Sequence, residues 1–134
     1  MYKGWKSMMV YSITSYRDKK IILYRRVMEM TLIDHHLWRI IMLEKRIEQR
    51  LRDEVKRRGG LALKFVSPGF AGVPDRLVLM PDGNVGFVEI KAPGEVPRPI
   101  QLSRHKLLRQ LGFKVYVLDN IENITHIIDE IEKG

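Results

Sequence analysis

Two short apolar runs, Arg76–Met80 and Val85–Ala92, flank the sequence Pro81-Asp82-Gly83-Asn84, and that pattern leaves little choice of local fold. A turn of this composition between β-type runs predicts a β-hairpin. The charges it carries are unusual for strands. Asp75 stands directly before the first run, and Glu89 and Lys91 are the only charges of the second. Ionised side chains rarely enter a fold unless they are paired or hold a metal. A two-residue loop would set Asp75 opposite Ile90, and a three-residue loop would set it opposite Glu89. In either register Asp75 lies beside the Glu89–Lys91 segment. Period two puts Glu89 and Lys91 on one face and Val88 and Ile90 on the other. Two carboxylates and an ammonium therefore gather at the end of the hairpin away from its turn.

Clustered carboxylates repel, and the arrangement becomes favourable around a hard divalent cation; oxygen ligands with retained waters describe magnesium or manganese. The chain has no cysteine, which excludes disulfides and thiolate zinc sites. A divalent metal polarises a phosphoryl oxygen and lowers the pKa of water, while Lys91 is placed to hold an attacking water or offset charge on a pentavalent phosphate. The reaction class that follows is phosphodiester hydrolysis. The plainer alternative is that Asp75 only starts a turn after Pro74, with Glu89 and Lys91 an exposed pair worth less than ~1 kcal/mol.

Around the hairpin the chain reads as one mixed α/β domain. Leu43, Ile47, Leu51 and Val55 recur every four residues from Met42, and the helix they predict stops at Arg57-Arg58-Gly59-Gly60. Glu44 and Glu48 form a second stripe on it. Leu61–Val66 is a strand candidate, followed by the loop SPGFAGVP. After the hairpin, PGEVPRP leads into a helix from about Ile100 to Leu111, then a strand at Phe113–Leu118 and a closing helix at Ile121–Ile131. The expected order is α-β-β-β-α-β-α. The isoleucines of the closing helix, Ile121, Ile124, Ile127, Ile128 and Ile131, suit either a cover for the sheet or a docking stripe.

Pro74-Asp75 before an apolar strand, a short hairpin and then Glu89-Ile90-Lys91 resembles the PD-(D/E)XK nuclease signature. GVPDR with FVEIK resembles its VRR-NUC branch in particular. The resemblance spans about Met42 to Ile131. It implies an α/β restriction-endonuclease-like fold with a mixed sheet. It also implies that Asp75, Glu89 and the backbone carbonyl of Ile90 bind Mg2+, with Mn2+ as a substitute, and that Lys91 is the catalytic lysine. A glutamate of the first helix completes the set; Glu44 is preferred for its place near the helix start, with Glu48 as the alternative. Gln101 matches a family glutamine that borders the site. His105, one turn on, shares its face and suits either a phosphate contact or an ordinary surface position.

The resemblance further implies structure-specific cleavage of DNA, in branched molecules such as four-way junctions, by a homodimer of viral or bacterial origin. A net charge of +8 agrees with a polyanionic partner. Lys64, Arg76, Arg98, Arg104, His105 and Lys106 are the candidate nucleic-acid contacts, expected to read backbone and shape more than base edges. Two other classes stay open, a non-catalytic nucleic-acid-binding protein on the same fold and an accessory structural protein of a phage particle or replication complex.

Residues 1–41 hold eight of the 24 basic and three of the 16 acidic residues, so +5 of the net +8 lies there. Trp5, Trp38, Tyr2, Tyr11, Tyr16 and Tyr24 are interleaved with the basic residues, a composition suited to stacking on nucleic acid. The segment reads either as a basic DNA-binding arm or as a dispensable upstream extension before a nuclease domain at 42–134. His35 and His36 are adjacent and point apart on a helix, which argues against a shared metal. Basic residues break every apolar run before membrane-spanning length. The expectation is a protein of the cytoplasm of a bacterium or phage-infected host, with no membrane association.

Overall fold

Helix α1, His35–Arg57, runs 23 residues without glycine or proline, straight through the boundary expected at Met42. The structure, a computed structural model, describes residues 35–134. The aromatic and basic residues expected to form an arm therefore lie outside the described residues, Trp38 and Arg39 excepted. Ile47, Leu51 and Val55, the four-spaced stripe, are the buried residues of α1. The helix stops in a Schellman motif. Gly60 N–H donates to Val55 O (2.9 Å) and Gly59 N–H to Lys56 O (3.0 Å), with Gly59 at φ 84°. That conformation is nearly free only for glycine.

Four strands follow in sequence order across one sheet: β1 (Leu61–Lys64), β2 (Arg76–Leu79), β3 (Val85–Ile90) and β4 (Lys114–Leu118). The first two pairings are antiparallel, and β3–β4 is parallel. A parallel neighbour needs a long crossover. Helix α2 (Pro99–Gln110) supplies it, and the PGEVPRP loop carries the chain into that helix. A short 3-10 turn, Ile121–Asn123, separates β4 from α3 (Ile124–Glu132). Asn120 fixes that turn, its side-chain oxygen accepting from Glu122 N–H at 3.0 Å. The order is the expected α-β-β-β-α-β-α, and the fold is of the PD-(D/E)XK type.

The two sheet faces have different covers. Val78, Val88, Ile90 and Leu118 turn towards α1 and α3 and join Ile47, Leu51, Val55, Ile124, Ile127, Ile128 and Ile131 in one apolar core. The closing isoleucines thus cover the sheet. Phe87, Glu89 and Val115 have the opposite parity and face away from that core. Gln101 and His105 of α2 reach Glu89 on this side. Phe87 also packs between Phe65 and Phe113, with ring centroids 5.5 and 5.8 Å away. Among the described residues no helix is long and apolar enough to cross a membrane.

The hairpin takes the three-residue loop. Arg76 pairs with Val88 and Leu79 with Val85, and Met80 N–H donates to Asn84 O at 2.8 Å. Asp82 (φ 65°) and Gly83 (φ 77°) take the left-handed conformations that so tight a reversal requires. Continuing that register places Asp75 opposite Glu89. The stop of α1 is seated on the same hairpin, because a Cβ added to Gly60 would stand 2.5 Å from Leu79 O and 2.6 Å from Met80 Sδ. Backbone cannot yield as a flexible side chain does. Gly60→Ala is expected to cost about 1–3 kcal/mol of stability, measured by chemical denaturation.

Candidate active site

Glu89 is the floor of the site. Its place in β3, between core residues Val88 and Ile90, buries it completely, at 0 % exposure. An ionised carboxylate there needs partners. Gln101 Nε2 donates to its Oε1 at 2.8 Å, Lys91 Nζ lies 3.7 Å from the same oxygen, and His105 Nε2 stands 3.4 Å from Oε2. Gln101 has a second task, since its Oε1 accepts Arg98 N–H (2.8 Å) at the start of α2. One end of the amide caps a helix and the other holds an acid. A glutamate at that position would repel Glu89.

Asp75 forms the exposed rim. Its carboxylate accepts Ile90 N–H at 2.9 Å, and its carbonyl accepts Phe65 N–H at 2.8 Å, tying the residue to β3 and to the end of β1. Burial first, and then the hydrogen bond and charge of Asp75, push the Glu89 carboxyl up to about 8, against a smaller opposing effect of Lys91. Two acids this close share a proton or take a cation. Asp75 and Glu89 flank the Ile90 peptide, and no group of three or more His, Asp or Glu side chains among the described residues is gathered tightly enough to hold a metal by side chains alone. Two neighbouring carboxylates, one buried and one at the exposed rim, suit a hard, partly hydrated ion.

The two helix acids have separate partners. Glu44 meets the site: Ala92 N–H points to its Oε1 at 3.4 Å, and Lys91, Asp75 and Glu95 are its charged neighbours. Burial raises its pKa, with the Ala92 N–H and Lys91 opposing. Glu48, one turn on, is paired with Arg76 and Lys45, which outweigh burial and lower its pKa. Its charge is already compensated. Exposed Glu95, in the Pro-rich loop, is an acid that sequence reasoning passed over. Its one signal was position, four residues after Lys91.

Two expected nucleic-acid contacts are corrected. Arg76 is only 8 % exposed, its guanidinium paired with Glu48 and directed at Ala62 O (3.4 Å), because it shares the parity of core residue Val78. It therefore has little surface to offer a phosphate. His105 is buried at 0 % exposure against Glu89, so neither the phosphate contact nor the surface position holds. Lys64, Arg98 and Lys106 are exposed, and Arg104 is half-buried. Arg104 donates to Ala71 O at 2.9 Å and stacks over Phe70 at 4.0 Å, fastening the SPGFAGVP loop to α2.

The raised pKa of Glu89 has a measurable consequence. The folded state binds the Glu89 proton more tightly than the unfolded chain, whose carboxyl titrates near 4.5. The stability this gives is complete below that pH, drains as pH rises and is gone above about 8. In EDTA, thermal melts should show wild type losing roughly 5 °C or more relative to Glu89→Gln between pH 5 and pH 8.5. Parallel curves for the two proteins would show that Glu89 titrates normally. Gln101→Glu is expected to lower Tm near neutral pH by a similar amount, because it adds a second buried acid.

No protein-family model matches the chain. A phage protein named "Putative nuclease p44", from Acyrthosiphon pisum secondary endosymbiont phage 1, is 55% identical over 80 residues, which is 60% of this chain and 86% of that protein. A solved structure titled "VRR_NUC domain" superposes with a TM-score of 0.61 at 32% identity, over 64% of this chain and 94% of that one. Both similarities agree with a nuclease fold built on a mixed four-stranded sheet. The chain belongs to the VRR-NUC family of PD-(D/E)XK nucleases.

Proposed function

We propose that the protein is a divalent-metal-dependent endonuclease that hydrolyses phosphodiester bonds in DNA. The observation that carries this reading is the pairing of fully buried Glu89 with exposed Asp75, a pair whose mutual repulsion a cation relieves. Asp75, Glu89 and the Ile90 carbonyl would hold Mg2+, or Mn2+ in its place, with Glu44 as the helix acid of the site. When bound, the ion supplies Lewis-acid charge at a phosphodiester oxygen and lowers the pKa of a water.

The remaining work falls to the chain's own residues. The Lys91 ammonium stands 3.7 Å from Glu89 Oε1. As a phosphate approaches, the same ammonium orients the attacking water and meets the negative charge that grows on the phosphorus oxygens. Gln101 holds one oxygen of Glu89 and does no proton chemistry. Asp75, held by the Ile90 amide, stands at the exposed rim. Exposed Lys64, Arg98 and Lys106 provide phosphate contacts of no particular base preference.

The preferred substrate in this reading is branched DNA, four-way junctions among it, cut by a homodimer. One site cleaves one strand, and a two-fold pair of sites fits a two-fold junction. The support for this part is the family resemblance and that symmetry argument.

A gel assay on a labelled four-way junction and a matched linear duplex, in magnesium, manganese and EDTA, tests the whole proposal. Expected are metal-dependent cutting, preference for the junction, and a loss of about 100-fold or more in Lys91→Ala. Tight binding without cutting in any metal would overturn the catalytic reading and leave a nucleic-acid-binding module. Equal cutting of the linear duplex would overturn only the structure preference.

A further inference from the structure

His105 has no part in the chemistry above, yet it is as fully buried as Glu89. It follows Gln101 by four residues on α2, so both side chains leave the same side of that helix towards β3. Gln101 and Lys91 lie at Glu89 Oε1, while His105 Nε2 lies at Oε2. The other ring nitrogen, Nδ1, is buried with no hydrogen-bond partner among the described residues. A histidine in such a place has to satisfy one nitrogen and abandon the other. Which nitrogen is abandoned determines what the ring can do for its neighbour.

We propose that His105 is a positioning residue, a neutral imidazole in the Nε2–H tautomer whose N–H donates to Glu89 Oε2 and fixes the carboxylate for metal binding. The tautomer follows from accounting for the hydrogens. With the proton on Nε2, the atom facing a carboxylate oxygen is a donor and the orphaned atom is a lone pair. With the proton on Nδ1, a lone pair would face the ionised carboxylate and a buried N–H would be orphaned, the rarer and costlier defect. The 3.4 Å separation is long for N–H···O.

Gln101 and His105 thus grip the two oxygens of one carboxylate from one helix. A carboxylate held at a single oxygen can still rotate about its last torsion. Held at both, it presents a fixed edge to the ion. Partners of this kind typically contribute 10–100-fold to metal affinity.

The inference rests on the metal reading above, and its test separates the two. Mn2+ is titrated into metal-stripped protein without DNA and followed by electron paramagnetic resonance. Binding by wild type, abolished in Asp75→Ala, is the test of the metal reading and is read first. His105→Leu, which fills the space without a donor, should then bind Mn2+ about 10–100-fold more weakly. His105→Gln, which can return an N–H to Glu89, should lie closer to wild type. Leucine and wild type binding alike would overturn the inference while the metal reading stood. The tautomer has its own readout in the wild-type fold, whatever happens to the variants. Nitrogen-15 correlation spectra of the magnesium-loaded protein, in which Glu89 serves as a ligand, should show the Nε2–H form. An Nδ1–H or doubly protonated ring there would overturn the proposal.

Discussion

A carboxylate placed in the middle of a sheet costs more than most other choices this chain makes, and the surroundings of Glu89 are arranged around that cost. Neighbouring positions of β3 go to the apolar core, so Glu89 cannot turn to water without dragging Val88 and Ile90 out of theirs. The surrounding elements therefore bring partners to it. α2 delivers Gln101 and His105, the end of β3 delivers Lys91, and the approach to β2 delivers Asp75. Each of those segments is also held by something unrelated to the site. Gln101 caps its helix, and the Asp75 backbone closes onto Phe65. The site is consequently stiff without being stable in its own right, as a pre-organised charge cluster needs to be.

Much of this was readable in the sequence because the hairpin converts spacing into geometry. Once a turn is fixed, period two assigns faces, and Asp75, Glu89 and Lys91 meet in either register. The register itself was not readable. It depended on whether Pro81 belongs to the loop or to the ladder, and Met80, not Pro81, pairs with Asn84, whose backbone oxygen accepts the Met80 N–H. The choice between Glu44 and Glu48 also lay beyond reach. Both sit on one stripe, and the difference is that Arg76 reaches Glu48 from a strand 28 residues away.

Arg76 and His105 show where local polarity misleads. Each was assigned to the surface because arginine and histidine usually belong there. The contrary signals were in the pattern. Arg76 is two residues from Val78 and so points to the same side of β2, and His105 lies one helical turn beyond a glutamine already expected at the site. Side-chain parity outranks side-chain type when an element is covered on both faces.

The hairpin loop, finally, has an evolutionary consequence out of proportion to its three residues. It carries no chemistry and faces solvent, so its composition is free to drift within the left-handed backbone at Asp82 and Gly83. Its length is another matter. Removing one residue would shift β2 by one against β3 and exchange the faces of Arg76 and Leu77, at the far end from where the deletion occurred. Lineages descending from this sequence can exchange tip residues readily, but they can insert or delete them only in ways that preserve the pairing.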